Sequence, residues 1–194
     1  MSTDASNSGL RERKKQATRA ALSAAALRLA IERGLDGVRV EDIAAEAGVS
    51  PRTFNNYFSR KEEAVVGNAA AQADRIAAAL RARPETEPIW QSLRHAVIEA
   101  YGEPDRQAAA TVRLIKAEPS LRAESVKADQ LGQQALAREI AARTGADPAR
   151  DLHPRLAAAT VVAVVHTALD HWLDAPKGTT FRSTLSAAFD LIAL

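Results

Sequence analysis

The stretch "EDIAAEAGVSPRTFNNYF", residues 41–58, constrains the fold more than any other part of the chain. Two segments, each too short to persist as an isolated helix, flank an abrupt turn, so something must hold them together. Ala44 and Gly48 are small enough for the two segments to cross closely. Ser50 is a favourable N-cap, and Pro51 suits the first helical position because its missing donor would be unpaired anyway. Phe54 and Phe58 are four apart and share one face of a helix predicted from Pro51 to Phe58. Ile43 and Val49 add apolar groups, as do Leu22 and Leu29 of an amphipathic helix predicted from about Leu10 to Glu32 and stopped at Gly34. Helix, short turn, helix is the arrangement that sets a second helix into a DNA major groove.

With the two phenylalanines turned inward, Arg52, Thr53, Asn55, Asn56 and Tyr57 spread over the remaining surface. Arginine and asparagine can form paired hydrogen bonds with guanine or adenine edges, while hydroxyls serve phosphates. The competing reading is an ordinary solvated helix face. Such a face is usually rich in Glu and Lys, which are nearly missing here, while an aromatic is kept, and this favours DNA. Charge adds less. Residues 1–66 carry 11 Lys+Arg against 9 Asp+Glu, whereas residues 67–194 carry 15 of each, so the net +2 lies in the first third. The densest cluster, Arg11, Arg13, Lys14 and Lys15, reads equally as a solvated helix start or as an arm that neutralises phosphates.

No stretch long enough to predict a sheet alternates with period two, and an all-α chain is expected. Residues 1–9, "MSTDASNSG", read as a disordered tail; residues 10–58 as the helix-turn-helix domain; and residues 59–194 as a second domain. A capping-box pattern at Ser59 and Glu62 opens a helix over 59–81 that connects the two. Beyond the linker-like "RARPETEP", helices are predicted over Pro88–Tyr101, Asp105–Ala117, Ala123–Arg143, Pro154–Asp174 and Phe181–Ala193. With Cys 0, disulfides and thiolate chemistry are excluded and the cytoplasm is the default compartment. No leader and no membrane span is expected, the apolar run at 154–174 being short and flanked by charge. His166 and His171 lie five apart, poor geometry for two ligands from one helix, and neither a metal nor another cofactor is expected. Absence of a nucleophile–base pairing, a carboxylate pair in an apolar setting and a phosphate-cradling glycine loop argues against an enzyme.

Residues from about Arg13 to Val66, with their phased glycines, "AGVS" turn, "TFNNYF" segment and following "SRKEE", resemble the DNA-binding region of the TetR family of bacterial transcriptional regulators. The resemblance implies that Arg52, Thr53, Asn55, Asn56 and Tyr57 face double-stranded DNA, that Lys61 reaches a phosphate, and that Arg13, Lys14 and Lys15 lie near the backbone or minor groove. It implies a homodimer on a palindromic operator, a small-molecule effector, and repression. Two positions depart from the pattern. Arg39 stands where a Thr or Ser cap is usual, and Asn55 where an aromatic is common.

Two further stretches, "RLIKAEPSLRAES" and "ARTGADPARDLHPRLAAATVVAVVHTALDHWLD", resemble the TetR subgroup associated with mycofactocin-type clusters, whose C-terminal domain is described as binding acyl-CoA-like ligands. A pocket in a helical bundle should be mostly apolar with a few converging polar groups. Trp90, Leu93, Val97, Tyr101, Val112 and Ile115 are candidate walls, and Arg94, His95 and Arg113 candidate anchors, although helically spaced apolar residues are more often plain core. Helix 154–174 is apolar around most of its circumference and is therefore buried on several sides. Together with helix 181–193 it is expected to form the dimer interface, through Val161, Val165, Leu169, Trp172, Leu185 and Phe189; the competing reading is a monomer in which helix 154–174 is merely central. The helix over 59–81 is the expected lever between effector and DNA.

Overall fold

A computed structural model describes residues 3–104 and 106–192 of the chain, with the side chains of 3–8, 12, 70 and 106 left aside. It contains helices and, among the described residues, no strand: α1 (Thr3–Arg33), α2 (Val40–Glu46), α3 (Pro51–Asn55), α4 (Lys61–Val65), α5 (Asn68–Ala82), α6 (Ile89–Tyr101), α7 (Arg106–Ala117), α8 (Pro119–Thr144), α9 (Leu152–Asp174) and α10 (Phe181–Ile192). Met1, Ser2, Asp105, Ala193 and Leu194 lie outside the described residues. The chain divides into two compact units, one of residues 1–68 with 113–125, the other of 69–112 with 126–194.

The first unit is organised by the two phenylalanines. Phe54 and Phe58 are 0% and 2% exposed, with ring centroids 5.6 Å apart, inside a core that includes Leu22, Leu29, Val38, Ile43 and Ala44. Helix α3 is short enough to depend on that clamp entirely. Its start is as the sequence predicts: Ser50 Oγ accepts from the Thr53 amide at 3.1 Å, with Pro51 next to the cap. Its end differs, stopping at Asn55 rather than Phe58, with a turn at Asn56–Tyr57 whose amides bond back to Thr53 and Phe54. The Arg39 cap of α2 is supplied otherwise: the Asp42 carboxylate accepts from the Arg39 amide at 3.1 Å. Gly48 takes φ +68° at the turn, a conformation that L side chains rarely adopt.

Four sequence expectations change here. Helix α1 starts at Thr3, so residues 3–9 are helical rather than a disordered tail. Extending an existing helix costs no new nucleus, and nothing in that stretch breaks it. The single helix expected over 59–81 is two, α4 and α5, separated at Val66–Gly67. A Cβ at Gly67 would lie 2.3 Å from Ser23 Oγ and 3.2 Å from the Phe58 ring, so the break falls at a glycine packed tightly against α1. The capping pattern also shifts by one residue, the Ser59 amide donating to Glu63 at 2.8 Å rather than pairing with Glu62. Finally, the compact unit closes at Asn68 and not at Phe58, because Ala64, Val65 and Val66 are buried in its core, joined by Leu121 of α8.

The second unit packs α10 against α9 and α6. Its core includes Leu80, Leu93, Val97, Ile140, Ala158, Val161, Phe181 and Leu185. Glu103 caps α10, accepting from the Phe181 and Arg182 amides at 3.1 and 3.2 Å. Arg143 ties the α5–α6 turn, donating to the carbonyls of Arg83 (3.1 Å) and Pro84 and to Ser92 Oγ (3.0 Å). Helix α9, 23 residues, is long and apolar enough by length and composition to cross a membrane, so the sequence argument from shortness fails. Its apolarity has another use, because Ala157, Ala158, Val161, Val164, Val165 and Ala168 are buried in this unit.

Candidate nucleic-acid interface and effector cleft

Around the buried Phe54 and Phe58, the outer surface of α3 and its turn presents Arg52, Asn55 and Asn56 in the open. Thr53 and Tyr57 are half-buried. The Thr53 hydroxyl is paired with Ser50 Oγ at 2.9 Å, and Tyr57 packs against the core. Arg13, Lys14 and Lys15 are exposed on α1, with Arg13 Nε donating to the Gly9 carbonyl at 3.3 Å. The structure thus gathers two amides and one guanidinium on one short rod, groups able to read base edges.

Lys61 is differently engaged. Its Nζ donates to the carbonyls of Leu35 (2.7 Å) and Val38 (3.0 Å), fastening the α1–α2 connection to the start of α4. An ammonium has three N–H groups, so one remains for an outside acceptor.

One supporting residue escaped the sequence reading. The Arg19 guanidinium lies 4.3 Å from the centroid of the Phe58 ring, donates to the Tyr57 carbonyl at 2.9 Å, and sits 3.7 Å from Glu63. It stacks on one clamp residue and holds the C-terminal turn of the reading segment. A cation alone on the polar face of α1 gives no signal in sequence; its partner is 38 positions away.

The second unit contains a cleft of about 70 Å³, partly open to solvent. Ala69, Gln72, Ala73 and Ile76 of α5 line it with Tyr101 of α6, Ala128, Asp129, Gly132 and Leu136 of α8, and Val161, Val162, Val165 and His166 of α9. Helices α5 and α8 approach closely there, since a Cβ on Gly132 would stand 3.3 Å from that of Ala73. Burial pushes the Tyr101 phenol up to about 12, so it remains a protonated donor at neutral pH. The Asp129 carboxylate, 3.4 Å from His166 Nε2, raises that imidazole above its ordinary range.

Of the pocket residues named from sequence, Tyr101 alone lines this cleft. Val97 is fully buried and Trp90 packs against the core. Arg94 donates to Ser186 at 2.8 Å and pairs with Asp190 at 3.2 Å, its Nε buried without a partner. Arg113 is exposed and belongs to the other unit. Helical spacing cannot tell an inward wall from a cleft wall, and the cleft's small alanines and glycine carry no distinctive pattern.

The residues expected at a dimer interface are likewise inside one chain. Val161, Val165, Leu185 and Phe189 are at most 3% exposed, and Leu169 and Trp172 pack against the same core. The first four are spent on folding the protomer, while Leu169 and Trp172 stay partly exposed. Among the described residues, the large apolar side chains that α9 and α10 leave exposed are Leu152, Leu156 and Leu191, at 73%, 57% and 83% exposure.

Comparison with known proteins agrees with this architecture. Residues 22–66 match the family described as "Bacterial regulatory proteins, tetR family", and residues 87–194 match the "MftR C-terminal domain". The chain is 34% identical over 191 residues to the HTH-type transcriptional regulator TcmR of Streptomyces glaucescens, covering 94% of this chain and 84% of that protein. It is 26% identical over 184 residues to MftR of Mycobacterium tuberculosis, named for mycofactocin biosynthesis, covering 93% and 91%. Its fold is similar to that of a TetR-family regulator from Syntrophomonas wolfei, with TM-score 0.65, 17% identity, and coverage of 91% of this chain and 93% of that one. A TetR-family regulator from Rhodococcus gives TM-score 0.58 at 24% identity, covering 91% and 98%. The clamped reading helix, the helical second unit and these matches lead to one conclusion: the chain belongs to the TetR family of DNA-binding transcriptional regulators.

Proposed function

We propose that this regulator is a homodimeric repressor that sits on a palindromic operator and leaves it when a small effector enters the second unit. The observation that carries the reading is the exposure of Arg52 and Asn55 on α3 and of Asn56 in the turn after it, with the other side fixed by buried Phe54 and Phe58. Such a rod has no stabilising use for its outer amides, and base edges are their natural partners. Two copies related by a two-fold axis read half-sites about one helical turn, 34–36 Å, apart or somewhat more. Action on DNA puts the protein in the cytoplasm, and no catalytic step is required of it.

Dimerisation uses the outer face of α9 and α10 around Leu152, Leu156 and Leu191, not the buried valines and phenylalanines. Three large apolar groups exposed on neighbouring helices favour burial against a second copy. Communication runs along α8. This helix contributes Leu121 to the core of the DNA-binding unit, and its Glu124 lies 3.7 Å from Arg60 there; further along it contributes Asp129 and Gly132 to the cleft. An effector shifts DNA affinity only by as much as it prefers one arrangement of α8 over the other.

The test is a gel-shift titration with the intergenic DNA beside the protein's own gene, scanned for an inverted repeat. Arg52→Ala and Asn56→Ala are expected to weaken specific binding by about 1–3 kcal/mol each while the melting temperature stays put. Wild-type protein that prefers no duplex over random competitor at moderate salt would refute the reading.

A further inference from the structure

We infer that the cleft binds an uncharged, largely apolar molecule by one hydrogen-bond-accepting oxygen seated on Gln72, and that it rejects acyl-CoA esters and carboxylates. The inference rests on the effector-responsive reading above and narrows the class of effector.

Gln72 is the informative side chain. Its Oε1 accepts from Arg75, which fixes the amide orientation, and its Nε2 is buried with no hydrogen-bond partner. A buried donor left unpaired is costly, and a carbonyl or ether oxygen entering the cleft would relieve that cost. Tyr101, protonated at neutral pH, adds an O–H at the same wall. The remaining lining is mainly Ala, Val, Ile and Leu.

Charge decides against anions. Among the described residues no lysine or arginine lines the cleft, and its charged or titratable groups are the Asp129 carboxylate and the His166 imidazole, 3.4 Å apart. Arg75, exposed, is engaged with Gln72. A CoA ester brings phosphates that demand guanidinium or ammonium partners. Arg94, one cation that sequence offers for that purpose, is held by Ser186 and Asp190, and Arg113 belongs to the other unit. A carboxylate ligand would meet Asp129, and like charges at close range are unfavourable.

The experiment is calorimetric titration of the full-length protein with four probes: 2-acetylnaphthalene, its near-isostere 2-naphthoate, the parent naphthalene, and dodecanoyl-CoA. The ketone is expected to bind about tenfold or more tighter than the naphthoate, a ratio set by the repelled charge and by the desolvation of the carboxylate, since either oxygen could accept from Gln72. Dodecanoyl-CoA should fail to displace it. Gln72→Met should cost about tenfold in ketone affinity, with unchanged affinity for naphthalene and an unchanged melting temperature. Asp129→Asn should bring the naphthoate closer to the ketone. Binding of naphthoate or dodecanoyl-CoA as tight as the ketone overturns the inference, as does an indifferent Gln72→Met or no binding by any probe. Fluorescence anisotropy with the operator duplex separates the two readings. Retained specific DNA binding in those outcomes leaves the regulator standing and removes only the ligand class, whereas ketone binding without any DNA preference does the reverse.

Discussion

Gly67 shows how much one Cβ can matter. The carbon added by Gly67→Ala would collide with Ser23 Oγ and crowd the Ala64 carbonyl and the Phe58 ring. Crowding of this kind costs about 1–3 kcal/mol, read as a lowered denaturant midpoint. Ser23 Oγ is itself buried without a partner, so Ser23→Ala alone should leave stability level or raise it. Because the two groups meet, the double variant should lose less than the sum of the single changes. Lys61 makes a second residue-scale case, since it anchors two carbonyls and retains one N–H. Lys61→Ala should lower the melting temperature, weaken binding to all sequences alike, and reduce the salt slope of DNA binding by about one unit. A melting shift with the slope unchanged would assign the lysine to the fold alone. Phe54→Ala, at a fully buried site, should cost roughly 3–5 kcal/mol.

Among the elements, the α5–α6 connection is held by side chains more than by its own backbone. Glu87 accepts from Arg83 at 2.6 and 2.8 Å and from Ser92 at 2.7 Å, and lies 3.0 Å from His95 Nδ1. The Arg83 guanidinium is the main reason that this carboxylate is held down to about 2, from an ordinary 4.5. A depressed carboxylate stabilises the fold above its unfolded pKa and ceases to do so as pH falls through the folded one. Glu87→Gln should therefore lower the melting temperature at pH 7, and its deficit relative to the wild type should shrink between about pH 4.5 and pH 2. Arg143→Ala would strip donors from the Arg83 and Pro84 carbonyls, and Arg143→Lys should recover only part of the loss because an ammonium lacks the forked geometry.

At the scale of the whole molecule, the question is what covers the outer face of α9 and α10. If a second copy does, Leu156→Glu with Leu191→Glu should leave a folded monomer. Light scattering at micromolar concentration would then give the monomer mass, while circular dichroism would keep the wild-type helix content. Operator affinity should fall with dimerisation, because each monomer carries one reading head. A double variant of unchanged dimer mass would put the interface elsewhere.

The sequence by itself determined what depends on local rules. Phe54 and Phe58 at a spacing of four, Ser50–Pro51 at a helix start and Gly48 at a turn dictate the helix-turn-helix, and the lack of period-two alternation dictates an all-α chain. Of the five residues that this spacing turns outward, Arg52, Asn55 and Asn56 are exposed, while packing half-buries Thr53 and Tyr57. Tertiary structure decided whatever joins distant positions. Arg19 on the Phe58 ring, Leu121 in the first core, and Gln72, Asp129 and His166 lining one cleft are brought together across tens of residues, and no spacing rule reaches that far. It also decided which apolar groups of α9 and α10 are used up in the protomer. A helix apolar nearly all round says that it is buried, but which partner buries each side is a property of the packed fold.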